Sequence, residues 1–131
     1  MQTHQRIAQR VLAEHLAIAE RLRANPKAML DYARGNVARW SKDFSPACIP
    51  DWLGEWERLL YGPMDALVAA ITADTDAGTH LRETSPFVGA LTFQERLEIL
   101  RRIDPEMART LEAFASSWDE RFPKAAELVG R

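Results

Sequence analysis

The sequence predicts an all-α fold class, a compact single domain of six to seven short helices over residues 1–131. Two patterns support this prediction. Apolar residues recur every three or four positions through most of the chain, as on one face of a helix. The breaks between these stretches carry helix start and stop signals, most of them containing a proline. Because no stretch alternates apolar and polar residues over a strand length, we expect no sheet.

The first two helices occupy the N-terminal third. Apolar spacing predicts a first helix over residues 3–24. His15 lies in its apolar stripe, where we expect a histidine with satisfied hydrogen bonds rather than a metal ligand or a base. Asn25 and Pro26 end this helix and start the second, since Asn is a good N-cap and Pro fits the first helical position. The apolar line of the second helix is Met29, Ala33, Val37 and Trp40.

The middle of the chain contains one long loop and three short helices. Two prolines within residues 41–50 push the residues before them out of helical geometry, which predicts a loop there. A third helix follows and ends at Gly62, and a fourth begins directly after Pro63. A polar turn over residues 74–78 then leads into a short fifth helix around Leu81. The carboxylates of this turn fit helix capping better than a calcium loop, whose other ligands are missing.

Two start signals define the C-terminal helices. Thr92 followed by Glu95 is the capping-box pattern and starts a sixth helix. Asp104 before a proline starts the seventh. We expect one continuous last helix that Pro123 interrupts. Its apolar residues at helical spacing are Met107, Leu111, Phe114 and Trp118. These boundaries divide the domain into an N-terminal helix, a core and a C-terminal helix with its tail, over residues 1–25, 26–103 and 104–131.

Charge is distributed unevenly along the chain. Residues 1–45 contain eight Lys and Arg against four Asp and Glu, whereas residues 46–131 contain nine against fifteen. The formal net charge is −2, and the pI is about 5.9. Such a division can orient a partner electrostatically, either nucleic acid at the basic end or a basic protein at the acidic end.

Composition is that of an ordinary globular domain, with 47% hydrophobic and 27% charged residues. No apolar run approaches the roughly 20 residues that cross a bilayer, and the N-terminus lacks a signal-peptide core. We therefore expect a cytoplasmic protein without a membrane partner. The single cysteine, Cys48, cannot form an internal disulfide, and without a neighbouring Cys or His it is not a zinc site.

Motifs for catalysis or cofactor binding are missing from the sequence. It contains no phosphate-binding, zinc-protease, CxxC, nucleophile-elbow or dinucleotide pattern. His80 and Glu83 have the three-residue spacing of one metal-binding face, but a di-metal bundle needs a second copy. We therefore predict no cofactor, no metal site and no enzymatic activity. An enzyme of unfamiliar type, with His80 and Arg82 in a cleft, is a third hypothesis.

The basic second helix supports an alternative function. Basic residues on a helix can meet phosphates, so the alternative is a DNA-binding transcriptional regulator. The acidic pI and the lack of a helix-turn-helix pattern argue against it. The residues concerned are Lys27, Arg34, Arg39 and Lys42.

The stretch LRETSPFVGALTFQER, residues 81–96, departs from ordinary amphipathic helix. Ser85 can cap a helical turn, and Gly89 can end that turn in a left-handed conformation. One interpretation is a rigid elbow between helices, with Phe87 buried and Arg82 holding the carbonyls of the tight turn. The other is a preformed binding surface that exposes Phe87 and Arg82, since aromatic residues and arginine dominate binding hot spots.

Three stretches resemble one protein family. ARGNVARW at residues 33–40, EWERLL at residues 55–60 and LRETSPFVGALTFQER look like a group of small bacterial proteins with ARxNxxRW and LRxxSPFxGxLxxxER motifs. The resemblance covers about residues 26–103. Members are encoded beside nucleotidyltransferase-like or related toxins and are treated as their antitoxins. The resemblance therefore implies an antitoxin-like role, with the cognate toxin as partner.

The stretch over residues 81–96, the uneven charge distribution and this resemblance together favour a non-enzymatic protein-binding module. It would neutralise a toxin by direct binding over the active cleft, where the acidic part of the chain can complement a basic channel. The six predicted contact residues are Arg82, Ser85, Phe87, Arg96, Trp40 and Trp56.

Overall fold

The computed structural model describes residues 3–113 and 115–128, and within them the chain forms eight α-helices and no β-strand. The helices are α1 (Thr3–Ala24), α2 (Pro26–Ser41), α3 (Asp51–Leu60), α4 (Met64–Ile71), α5 (Asp76–Arg82), α6 (Phe93–Ile103), α7 (Pro105–Glu112) and α8 (Ala115–Arg121). Two 3₁₀ segments span Pro46–Cys48 and Pro123–Leu128. The all-α prediction is confirmed. None of the helices in these ranges is long and apolar enough to cross a membrane.

Side-chain caps mark the start of three of the helices, α5, α6 and α7. Thr75 precedes α5, and its hydroxyl accepts the Gly78 N–H at 3.0 Å. Thr92 precedes α6 and forms the predicted capping box, in which its hydroxyl accepts the Glu95 N–H and the Glu95 carboxylate accepts the Thr92 N–H. Asp104 caps α7 through the Met107 N–H at 3.3 Å. These groups satisfy backbone donors that have no partner inside the helix.

The prediction of one continuous last helix is wrong, because α7 and α8 are separate helices. Phe114, part of the predicted apolar line, lies outside the described residues. A straight helix over both elements would be about 25 Å long, against about 16 Å for α6, on which both pack. The division lets Trp118 reach the residues just before α6, where its indole N–H donates to the Leu91 carbonyl at 3.3 Å.

Two hydrophobic clusters form the interior. The larger one joins α1 to α5 with the segment that follows α5, and its fully buried side chains include Leu22, Met29, Leu53, Trp56, Leu60, Leu67, Ile71 and Phe87. The smaller one lies between α6 and α7 and contains Phe93, Leu97, Leu100 and Ala108. Burial of such side chains contributes most of the favourable free energy of folding.

Ion pairs of three arginines join α1 to the α6–α7 hairpin. Arg6 pairs with Asp104 at 2.7 Å and with Glu106 at 3.3 Å, Arg21 pairs with Glu95, and Arg96 pairs with Glu14 at 2.8 Å. The hydrogen bond from Arg6 holds the pKa of Asp104 below its ordinary value. Since Asp104 also caps α7, one carboxylate fixes both the start of that helix and its position against α1.

We expect Gly89→Ala to lower the free energy of unfolding by more than about 1 kcal/mol. Gly89 has a φ of +79°, which strains an L residue, and an added Cβ would overlap the ring of Phe122. Gly35→Ala is the matched control, because a Cβ there meets no atom within 4 Å, and alanine in a helix interior stabilises by up to about 1 kcal/mol. Urea unfolding measures both. A Gly89→Ala variant as stable as the parent would contradict the described turn.

Candidate binding cleft

Residues 84–91, hereafter the elbow, form a mostly buried non-helical segment between α5 and α6. Side chains from four helices bind it. The donors and their acceptors are Arg21 to the Ala90 carbonyl (3.4 Å), Tyr32 to the Val88 carbonyl (2.5 Å), Asn36 to the Pro86 carbonyl (2.7 Å), Trp56 to the Thr84 hydroxyl (2.9 Å) and Trp118 to the Leu91 carbonyl (3.3 Å). A buried segment without helical hydrogen bonds needs such partners, since an unpaired buried carbonyl is costly.

His15 connects α1 to the elbow through both ring nitrogens. Nδ1 lies 2.8 Å from the Val11 carbonyl, which only accepts, so the hydrogen of the neutral ring is assigned to Nδ1. Nε2 then accepts the Ser85 hydroxyl at 2.7 Å. Burial lowers the pKa of His15, which keeps the ring neutral at pH 7. The interpretation of His15 as a satisfied histidine is confirmed.

Ser85 and His15 are the residue types of a catalytic nucleophile and its general base, but the contacts of Ser85 indicate a structural role. Its oxygen also accepts the Phe87 N–H at 3.1 Å, as a cap on the turn that follows. Ser85 is buried, and the hydrogen-bonded chain from Val11 through His15 to Phe87 runs through its side chain. We therefore interpret the pair as a connection between α1 and the elbow.

Arg82 is buried, but the prediction that it holds the carbonyls of the elbow is wrong. Its Nη1 donates to the carbonyls of Ile71 and Ala73, at 3.2 and 2.8 Å. These carbonyls lie at the C-terminal end of α4, where a helix has no internal donors. Because α5 packs against α4, the Arg82 side chain at the end of α5 lies beside these carbonyls. It donates to them and not to the carbonyls of the elbow.

A cleft of about 620 Å³ opens beside the elbow, between α1, the end of α2 and the start of α3. Five of the six predicted contact residues line it, namely Trp40, Arg82, Ser85, Phe87 and Arg96. The sixth, Trp56, lies beneath Phe87, with ring centroids 6.3 Å apart. Phe87 and Trp56 are at most 1% exposed, so the prediction of a protruding aromatic loop is wrong and the buried-elbow interpretation describes Phe87.

Aromatic rings form much of the cleft wall. Trp52 lies edge-on to both Trp40 and Phe44, with centroids 6.2 Å apart in each case. Across the cleft, the guanidinium of Arg96 stacks over Trp118 at 3.8 Å from the ring centroid. The cleft therefore combines rigid aromatic surfaces with cationic groups, a composition typical of sites that bind another molecule.

The charges around the cleft differ between its interior and its mouth. Inside, Arg96 donates to Glu14 at 2.8 Å, and both side chains are largely buried. Nε of Arg10 is also buried, and within residues 3–113 and 115–128 it has no hydrogen-bond partner. Asp43 and Glu83 line the cleft from exposed positions. The interior therefore holds an arginine whose donor is unsatisfied.

The basic residues of the DNA-binding alternative do not form one free surface. Arg34 donates twice to the Leu60 carbonyl, at 3.1 and 2.7 Å, and Arg39 donates to Asn36. Lys27 pairs with Asp31 at 2.8 Å, and Lys42 lies at the C-terminal end of α2. Because Arg34 and Arg39 also lie about 140° apart around α2, the DNA-binding alternative gains no support from this arrangement.

The structure does not bring His80 and Arg82 into one cleft. Arg82 lines the cleft, whereas His80 is exposed outside it and contacts Glu83 at 3.1 Å. The pairing required by the third hypothesis is therefore wrong. Within the described part of the chain, no group of three or more His, Cys, Asp and Glu side chains is placed to hold a metal ion.

The sequence did not identify three residues that support or line the inner side of the cleft, namely Asn36, Arg10 and Glu14. Asn36 lies within the apolar line of α2, between Ala33 and Trp40, and a polar residue in such a line indicates a buried hydrogen bond. Arg10 and Glu14 gave no such signal, because charges near the edge of an apolar stripe are common on solvated helices.

Comparison with protein-family models, with curated proteins and with solved structures finds no match for this chain. The resemblance to antitoxins stays a prediction from the motifs.

We expect the stability of the chain to decrease below about pH 6.5 because of His15. Burial lowers its folded-state pKa below the ordinary 6.5, so the unfolded chain binds this proton more readily. The free energy of unfolding should fall by up to about 1.4 kcal/mol per pH unit between pH 6.5 and the folded-state pKa. Carboxylates such as Asp104, whose pKa is lowered from 3.8, contribute only at lower pH.

Urea unfolding of the parent, of His15→Gln and of the exposed control His80→Gln over about pH 5 to 7.5 measures this effect. The pH-dependent decrease should persist in His80→Gln and disappear in His15→Gln. An unchanged slope in His15→Gln would contradict a buried, neutral His15.

Proposed function

We propose that the chain is an antitoxin-like protein-binding module that acts in the cytoplasm and neutralises a cognate toxin by direct stoichiometric binding through the cleft. One observation carries this proposal: five of six residues predicted to contact a partner line a single open cleft. Trp40 comes from α2, and the other four come from the consecutive α5, elbow and α6. The motif resemblance supports a bacterial toxin of nucleotidyltransferase-like or related type as the partner.

The mode of contact differs from the one expected from sequence. Phe87 forms the floor of the cleft and does not protrude, so the partner has to insert a group into the cleft. Val88, 47% exposed, and Phe44, 36% exposed, offer apolar contacts at the cleft lining. We propose that a projecting loop of the toxin, close to its active centre, enters here and is thereby blocked.

A rigid cleft favours such binding. The elbow is bound by side chains of α1, α2, α3 and α8, so its conformation is fixed before a partner arrives. Association then costs little additional conformational entropy on this side of the interface. Tryptophan and arginine, which line the cleft, are the residue types enriched among energetically important interface contacts.

Val88→Asp tests the role of the cleft. A carboxylate placed in an apolar contact loses its hydration on binding, so we expect at least a tenfold loss of affinity, on the order of 1.4 kcal/mol. Leu16→Asp is the matched control: Leu16 is 51% exposed, and it lies outside the cleft on the opposite side of α1. Co-expression with the product of the adjacent gene measures relief of growth arrest, and calorimetry on the purified pair measures affinity.

The parent and Leu16→Asp should relieve the arrest, and Val88→Asp should not. If the toxin remains fully active in a saturating excess of the parent chain, the proposed function is wrong. If both variants bind as the parent does, the partner does not use the cleft.

A further inference from the structure

We infer that the interior of the cleft binds an aromatic monocarboxylate, a small molecule with one aromatic ring system and one carboxylate. In this arrangement the carboxylate pairs with Arg10 and the ring lies against the tryptophan wall. The inference concerns the isolated chain and does not depend on the proposed function.

The size and lining of the cleft fit a small organic ligand. A volume of about 620 Å³ falls within the roughly 300 to 1,000 Å³ usual for such sites. The lining is largely apolar, with a few polar groups that converge from α1, the elbow and α6. Sites of this composition orient a ligand through the polar groups and hold it through the apolar ones.

Arg10 favours a ligand that carries a carboxylate. Its Nε is buried and has no hydrogen-bond partner in the described part of the chain, and an unsatisfied buried donor is unfavourable. The other two arginines of the cleft are engaged, Arg96 with Glu14 and Arg82 with the carbonyls at the end of α4. A carboxylate matches the planar fork of a guanidinium and would pair with the Nη groups of Arg10, since the buried Nε is not itself accessible from the cleft.

The remaining charges favour a single negative charge on the ligand. Inside the cleft, the three arginines face one carboxylate, Glu14, and His15 is neutral because of burial. At the mouth, Asp43 and Glu83 add negative charge along the path of entry. Every anion passes these two carboxylates on entry, and the repulsion on a dianion is twice that on a monoanion.

Three of the four tryptophans of the chain line the cleft, and this favours an aromatic ring. Trp40 and Trp52 already pack edge-on with each other, and Trp118 is stacked beneath the Arg96 guanidinium. A flat ring can stack or pack edge-on against such surfaces, which adds to the free energy of burying its area. A flexible aliphatic chain of the same size gains less.

The test titrates the purified full chain with 3-phenylpropionate and follows the four indole N–H signals by NMR. The signals of Trp40, Trp52 and Trp118, which line the cleft, should move more than that of Trp56, whose N–H is bound to the Thr84 hydroxyl behind the lining. The neutral amide 3-phenylpropionamide, the ring-free hexanoate and the dianion phenylsuccinate should each bind at least about tenfold more weakly.

Arg10→Gln should weaken binding of 3-phenylpropionate by about tenfold or more, since a hydrogen bond to a charged group is lost. Arg23→Gln, an exposed arginine of α1 outside the cleft, is the matched control and should bind as the parent does. Because Nε of Arg10 makes no hydrogen bond in the folded chain, Arg10→Gln should keep the parent's urea midpoint, which separates lost binding from lost folding.

Three results would overturn the inference. They are unmoved cleft indole signals at millimolar 3-phenylpropionate, equal binding of the amide, and unchanged affinity in Arg10→Gln. All three are measured without a partner protein, so they are distinguishable from a failure of toxin neutralisation.

Discussion

Four backbone carbonyls of the elbow, those of Pro86, Val88, Ala90 and Leu91, accept hydrogen bonds from side chains of α1, α2 and α8. An irregular segment inside a helical bundle has no helix or sheet to satisfy its backbone, and each buried unsatisfied group costs about 1 to 3 kcal/mol. The donor side chains of α1, α2 and α8 therefore all have to lie in the correct positions at the same time. This requirement links helices that are far apart in sequence and fixes them around one short segment.

The cleft follows from that arrangement. The elbow forms one wall, and Phe87 beneath it packs on Trp56, so this wall cannot collapse inward to fill the space. The ion pair of Glu14 with Arg96 joins α1 to α6 at the inner end. Both proposals, a docked toxin loop and a bound aromatic monocarboxylate, use the same property, a preformed concave surface whose geometry is determined by buried hydrogen bonds.

Local signals explain why much of the fold was predictable. The capping box at Thr92 and the cap at Asp104 act within four residues, so the sequence alone indicates those helix starts. The partner of a buried group is a different matter. Asn36 and Pro86 are 50 residues apart, and the position of Trp118 depends on Leu91, so neither contact leaves a local pattern. For the same reason spacing left the burial of Phe87 open between two interpretations, and it did not predict the carbonyl partners of Arg82 or the division between α7 and α8.

Native-state hydrogen exchange of the Phe87 and Ala90 amides tests the central claim most directly. The Phe87 N–H is bound by the Ser85 hydroxyl at 3.1 Å, and the Ala90 N–H by the Phe87 carbonyl at 3.0 Å. If the elbow is fixed by helices of the main hydrophobic cluster, both amides should exchange only through global unfolding, with the opening free energy obtained from urea unfolding. The account would be contradicted if these two amides exchanged with a much smaller opening free energy while core amides of α2 and α3 stayed protected.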